Sequence, residues 1–172
     1  MSGEKIMQKI QRLVCFIATR VLFYALKVLV KRDSRVKAAF AAYRAGYVFR
    51  LNAGMEKEDA RLTFRVLENG GLEKTGDDVA ADMEITIKST SEAFKVFTGM
   101  TGIAQTYAAH GFFVKGNPYD TMGLVHGLEL AEAYLFPKVL ARRILARVPS
   151  KRCSVGVVYL GLVCGLIKDS FQ

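Results

Sequence analysis

Several things are missing from this chain, and each absence narrows what it can do. There is no GxSxG nucleophile elbow, no phosphate-cradling GxxxxGK[ST] loop and no GxGxxG fingerprint. Those gaps remove the familiar acyl-transfer, nucleotide-hydrolysing and dinucleotide-binding sites. Histidine is scarce, with His110 and His126 the only two. His126 has Glu129 three residues on, but two ligands on one helix make a poor metal site. His110 stands before Gly111, where a helix C-terminus would favour its charge. Asp77 and Asp78 read as a solvated loop. Cysteine is also scarce, and Cys15, Cys153 and Cys164 show no CxxC spacing. An odd, scattered set argues against a disulfide framework and fits a reducing compartment. Free thiols of this kind usually behave as small apolar groups. No low-complexity tract or solenoid repeat is present. The expectation is a protein that is not an enzyme, with no metal and no cofactor.

What is present is one domain's worth of chain, 172 residues, with an uneven charge. Residues 1–50 are net +9, residues 51–137 net −6 and residues 138–172 net +6. The basic character therefore lies at the two ends, around an acidic middle. A nucleic-acid binder would place charge and a motif on its folded domain, and no such motif is found. The basic residues sit instead within apolar segments, which suits an anionic lipid surface. Three parts follow: a basic, apolar helical extension over 1–45, a central domain over 46–137, and a basic, apolar helix or lid over 138–172.

Leu13 to Val30 read LVCFIATRVLFYALKVLV, without Pro or Gly. At 100° per residue, Lys5, Lys9, Arg12, Arg20, Lys27 and Lys31 share about a third of the circumference. The rest of the circle is apolar. Such a helix can lie in a membrane interface, span the bilayer with Arg20 as a penalty, or pack on its own domain or a partner helix. A signal peptide is rejected, because charges interrupt the apolar run before the nearest small-residue site around Ala39–Ala41. Asp33-Ser34 predicts a stop and restart, with a second helical piece from Val36 to Tyr43 that ends near Gly46.

The period then changes. Tyr47 to Leu51, Arg61 to Val66 and Ala81 to Lys88 alternate and predict strands. Asn69-Gly70-Gly71 predicts a turn. One polar face per strand points to an antiparallel sheet with a solvated side. Ser91 is the expected cap of a short helix ending at Gly99, with Phe94, Val96 and Phe97 as its buried stripe. A second short helix runs from Thr101 to His110 and is closed by Gly111. Phe112 to Lys115 predicts a strand. Gly116-Asn117-Pro118 turns the chain into a helix from Tyr119 to Phe136, ended by Pro137. The class is α+β, with helices laid across one sheet face.

Within this order, ADMEITIKSTSEAFKVFTG, an apolar helix and GFFVKGNPYDTMGLV follow one another. From about Tyr47 to Phe136 the chain resembles the sterol carrier protein type 2 domain. That resemblance covers roughly half the chain and rests on the order and spacing of the elements. It implies an antiparallel-rich five-stranded sheet under helices, enclosing an apolar tunnel for sterols, isoprenoids or acyl chains. Some bacterial relatives are accessory factors that hold isoprenoid quinone precursors for membrane-bound enzymes. Unlike the peroxisomal members, this chain ends in Ser170-Phe171-Gln172 rather than a Ser-Lys-Leu type signal. The N-terminal amphipathic helix lies outside the common domain.

A lipid site of this sort needs an unfilled apolar cavity and no catalytic group. The expected walls are Phe64, Ile85, Phe94, Phe97, Met100, Ile103, Tyr107, Phe112, Met122 and Val125. The expected membrane contacts are Arg12, Arg20, Lys27, Lys31, Arg142 and Arg143. Val155 to Ile167 is too short to span as a helix; a lid, a shallow insertion and a hairpin-like piece stay open. Its Gly161 and Gly165 form a GxxxG, a weak signal in a short helix. The expected function is lipid binding and transfer or presentation, cytoplasmic and peripheral on the inner face of a membrane. The expected partners are a lipid ligand and an anionic membrane, with a membrane-bound enzyme or a homodimer left open and no nucleic acid. The alternative is a membrane-docked scaffold for a lipid or quinone biosynthesis complex.

Overall fold

A computed structural model describes residues 3–145 and 147–170, the last three by backbone alone. The expectation drawn from the chain's final residues, 171 and 172, lies outside that range. Helix α1 runs over Gly3–Arg32 and α2 over Ser34–Ala41. Strands β1 (Val48–Asn52), β2 (Arg61–Val66), β3 (Leu72–Lys74) and β4 (Met83–Ile87) follow. Then come α3 (Thr90–Phe97), α4 (Ile103–Ala108), β5 (Phe112–Lys115), α5 (Pro118–Leu135), α6 (Lys138–Ile144) and α7 (Val155–Ser170).

The five strands form one sheet in the order β3-β2-β1-β4-β5. Three pairings are antiparallel, and β1 with β4 is parallel. In register, Leu51 lies between Leu62 and Ile85, and Phe49 between Phe64 and Met83. Alternation therefore puts these side chains on one face, and the helices cover that face. The opposite face is polar. Arg61 donates to Asn52, and the Asn52 amide donates to Glu84 and Thr86. Arg50 donates to the carbonyls of Asp77 and Val79, fastening the loop that leads into β4. Asp77 is exposed, as expected, and accepts from Thr63 at 2.6 Å.

Local caps set the helix boundaries. Asp33 breaks the first helix and caps the second, accepting from the Arg35 amide at 3.0 Å. Ser89, not Ser91, caps α3, accepting from the Glu92 amide at 3.2 Å. The helix thus starts two residues earlier than expected, because Ser89 has the extended backbone a cap requires. Asn117 caps α5 with Pro118 in the first turn, where a missing N–H costs nothing.

The structure chooses among the alternatives that the sequence left open for α1. By length and composition it is apolar enough to cross a membrane, yet half of its apolar window is buried in the fold. Leu22, Phe23, Ala25, Leu26, Leu29 and Val30 share one core with Phe49, Leu62, Phe64, Leu128, Leu130 and Leu162. The segment expected as an extension thus shares its core with the sheet. Rings of Phe23, Phe40, Phe49 and Phe64 meet there at centroid distances of 5.2 to 6.3 Å. Only the first half of α1 is open, with Ile6, Met7, Ile10, Leu13, Phe16 and Ile17 exposed.

Residues 155–167 form a helix, and α7 lies against α1. Its GxxxG is the contact. A Cβ on Gly161 would come within 2.7 Å of Val28, and one on Gly165 within 2.2 Å of Tyr24. Hydrogen bonds finish the joint. Tyr134 is buried, donates to Asp33 at 3.0 Å and accepts from the Arg152 and Cys153 amides. The Arg35 guanidinium holds the Asp33 carboxyl down at a pKa of about 2.

Replacing Gly165 by Leu should force α7 away from α1 and cost about 1–3 kcal/mol by overpacking. Gly156→Ala, with only Ser154 nearby at 3.6 Å, is the control. Thermal melts check both: equal midpoints for the two variants would contradict the close packing.

Candidate functional site

Beside the packed aromatic cluster, the same sheet face carries a cavity of about 630 Å³. Ala18, Val21 and Leu22 of α1 form one wall, and Leu51, Ile85 and Ile87 form the floor. Val96, Phe97, Ile103 and Tyr107 of α3 and α4 close one side, with Phe112 and Val114 of β5 beside them. Helix α5 supplies Met122, Val125, Leu128, Glu129, Glu132 and Leu135, and α7 supplies Tyr159. Cavities of this size and polarity hold drug-sized or lipid-like ligands.

Each element sends these side chains inward for a periodic reason. On β4, Ile85 and Ile87 alternate with Glu84 and Thr86. On α5 the lining residues recur at three- and four-residue spacing. Along that stripe Met122 is 74% exposed, whereas Glu132 is 7% exposed. Exposure along this stripe thus falls from Met122 to Glu132.

Of the ten expected wall residues, Ile85, Phe97, Ile103, Tyr107, Phe112, Met122 and Val125 line the cavity. Three do not. Phe64 faces the helices but lies under α1 and α2, stacked at 5.2 Å on Phe49. Phe94 turns to a second cluster with Cys15, Ala53, Ala60, Ile87 and Ala93. Met100 lies past the end of α3 and is exposed. The α1 wall was missed, because an apolar surface on all sides of a helix does not say which side faces the sheet. Tyr159 was missed for the same reason in α7.

The expected membrane contacts separate as well. Arg12 is engaged inside the molecule, donating to Asp59 at 3.1 Å and pairing with Glu56 at 3.7 Å. Asp59 is buried and also accepts from Thr90 and from the Glu56 amide. Arg12 thus holds the β1–β2 loop. Arg20 lies over the Phe16 ring and Lys27 over Phe23, both half-buried. Lys31, Arg142 and Arg143 are exposed.

Among the described residues no catalytic arrangement assembles around the cavity. Neither His110 nor His126 lines it, and His110 borders a smaller one instead. Among the described residues no group of three or more His, Cys, Asp or Glu could hold a metal. Burial pushes the Cys15 thiol up to about 11, so it stays a protonated thiol. The unusual group is Glu132. Burial, with the Glu129 charge adding to it, pushes its carboxyl up to about 8. Its Oε2 is buried without a hydrogen-bond partner. Sequence reading passed over it, since one Glu in an apolar helix carries no motif.

Comparison with known proteins gives a fold likeness without close relatives. No family model and no curated protein matches the chain. Among solved structures it is similar to "UbiJ-SCP2 Ubiquinone synthesis protein", with a TM-score of 0.45 and 17% identity over 62% of this chain and 89% of that one. It is also similar to sterol carrier protein 2 from Yarrowia lipolytica in its apo form, at TM-score 0.41 and 15% identity, covering 64% and 86%. A third is sterol carrier protein 2 from Aedes aegypti in complex with palmitate, at TM-score 0.36 and 18% identity, covering 61% and 94%.

Glu132 gives a pH signature. A carboxyl whose folded pKa lies above its unfolded value binds more protons when folded. Stability therefore falls as pH rises from about 4.5 towards about 8. Glu132→Gln should remove that fall and be the more stable form at pH 9, by on the order of a few kcal/mol. Denaturant titrations at pH 5 and 9 test this; parallel losses in both proteins would contradict the buried, uncompensated carboxyl.

Proposed function

We propose that this chain is a non-enzymatic carrier that binds an apolar, lipid-like molecule and takes it up or presents it at an anionic membrane surface. The observation that carries this reading is the cavity of about 630 Å³, walled almost wholly by aliphatic and aromatic side chains. A lipid tail entering it gains about 0.8 kcal/mol per buried CH₂. Packed interiors seldom leave such voids, and each costs contact energy, so an open apolar volume beside a well-packed cluster favours an occupant. The arrangement of elements is also the one expected from the resemblance to sterol carrier domains.

The membrane part rests on the surface. The open half of α1 presents Ile6, Ile10, Leu13 and Ile17 along one stripe, with Met7 and Phe16 flanking it. The outer side of α7 presents Val157, Leu160, Val163 and Ile167, all exposed. Lys5, Lys9 and Lys31 are exposed on α1 and Arg142 and Arg143 on α6. Apolar area rimmed by cations matches the interface of an anionic bilayer. A cytoplasmic protein docked on the inner leaflet is the corresponding location. A second reading, a scaffold for a membrane-bound lipid or quinone enzyme, draws on α7. Its outer surface from Val157 to Ile167 carries no charge and would suit an apolar protein partner as well.

Transfer of a fluorescent lipid between vesicles tests the carrier reading. Val125→Trp should fill the cavity and lower transfer by about tenfold while the fold persists; undiminished transfer would contradict a cavity-bound ligand. Flotation with vesicles containing phosphatidylserine tests docking. Lys5→Glu with Lys9→Glu, both exposed beside the apolar stripe of α1, should abolish it at low salt, each charge near the surface contributing about 1 kcal/mol. Unchanged flotation, with a protein partner captured instead, would favour the scaffold.

A further inference from the structure

The cavity is not uniformly apolar: besides the exposed Tyr107 and the Thr121 hydroxyl, its wall carries two carboxyls, Glu129 and Glu132. Glu132 is 7% exposed, and its Oε2 has no hydrogen-bond partner. An unsatisfied buried carboxyl costs roughly 1–3 kcal/mol or more, so its retention calls for a function. Glu129 lies one turn before it on the same wall. Among the described residues that line the cavity there is no Lys, Arg or His. Tyr159 also reaches the wall, but its hydroxyl donates to the Leu135 carbonyl at 2.8 Å. That leaves Glu132 as the buried polar atom aimed inward without a partner.

We propose that Glu132 recognises the polar end of the ligand, and that this end is a neutral hydroxyl, an alcohol or phenol, rather than a carboxylate, phosphate or amine. The inference rests on the carrier reading above and narrows it. Three chemical comparisons decide it. A hydroxyl can donate to one carboxyl oxygen and accept from the other when that one is protonated, so both groups are satisfied. Glu132 is mostly protonated at neutral pH, because burial raises its pKa to about 8. An acidic head would bring a negative charge into an apolar wall beside Glu129, with no Lys, Arg or His among the described lining residues to offset it. An ammonium head would form a buried ion pair, whose desolvation can exceed its Coulombic gain.

Geometry also fixes the orientation. Met122 and Glu132 lie about 15 Å apart along α5, at 1.5 Å per residue. Met122 is exposed and Glu132 buried, so the hydroxyl enters first and the tail trails towards Tyr107 and Met122. This head-inward pose keeps the reactive or hydrated end away from water until release.

The test uses four probes of one chain length: oleyl alcohol, oleic acid, oleylamine and octadecene. Each displaces an apolar fluorescent dye from the full chain at neutral pH. Native protein should bind the alcohol about tenfold more tightly than the acid or the amine, which equals about 1.4 kcal/mol. Glu132→Leu should bring alcohol and octadecene to within about twofold while octadecene binding persists, showing an intact cavity. Glu132→Gln keeps the shape of the side chain and a donor and an acceptor, and should retain the preference for the alcohol. Acid or amine binding as tightly as alcohol to native protein would overturn the assignment. So would a Glu132→Leu protein that keeps the full preference for alcohol. If native protein binds none of the four, octadecene included, the carrier reading itself fails and this assignment falls with it.

Discussion

A single constraint governs this fold: α1 is apolar around most of its circumference and must be covered. A fully buried Leu or Phe contributes about 1.5–3 kcal/mol, so exposing such a helix along its length would be costly. The sheet covers one side through Phe64 and Leu62, α5 another through Leu128, and α7 a third across Gly161 and Gly165. The cap at Asp33, held by Arg35 and Tyr134, ends the helix where that cover ends. Before about residue 18 only one side of the helix is covered, with Cys15 buried beside Ala93, and the other side carries the exposed apolar stripe.

The cavity is a consequence of how α1 is covered. Over β1 and β2 the large rings of Phe23, Phe40, Phe49 and Phe64 fill the space between helix and sheet. Over β4 and β5 the helix presents Ala18, and α4 presents Ala104, which are too small to fill it. One half of the sheet face is thus a rigid core, and the other half stays open. A packed core supplies the stability that lets an adjacent void persist. Glu132 lies in the wall of the open half, where burial raises its pKa.

Much of this was legible in the sequence. The alternation in Arg61–Val66 and Met83–Ile87 gave strands and their inward faces correctly, because period-2 patterning follows directly from the pleat. Seven of the wall residues were legible because they fall on inward faces near turns. What could not be read was the placement of α1, since its pattern fits a bilayer, a partner or its own sheet equally well. Choosing among these needs the small residues opposite, Gly161 and Gly165, more than a hundred residues away. Arg12 shows the same limit. Its place in a basic stripe suggested headgroups, but the buried Asp59 that it meets is remote in sequence. β3, three residues long, had only its preceding turn as a signal.

The central claim is that the cavity between α1, α5 and the sheet holds a lipid-like molecule in the working protein. Native mass spectrometry with lipid extraction, on protein purified gently from its own host, tests it most directly. The account predicts a stoichiometric apolar molecule with one polar end, lost in a variant whose cavity is filled. Protein of bare polypeptide mass, with nothing in the extract, would contradict it and leave the apolar surfaces of α1 and α7 as a scaffold's docking face.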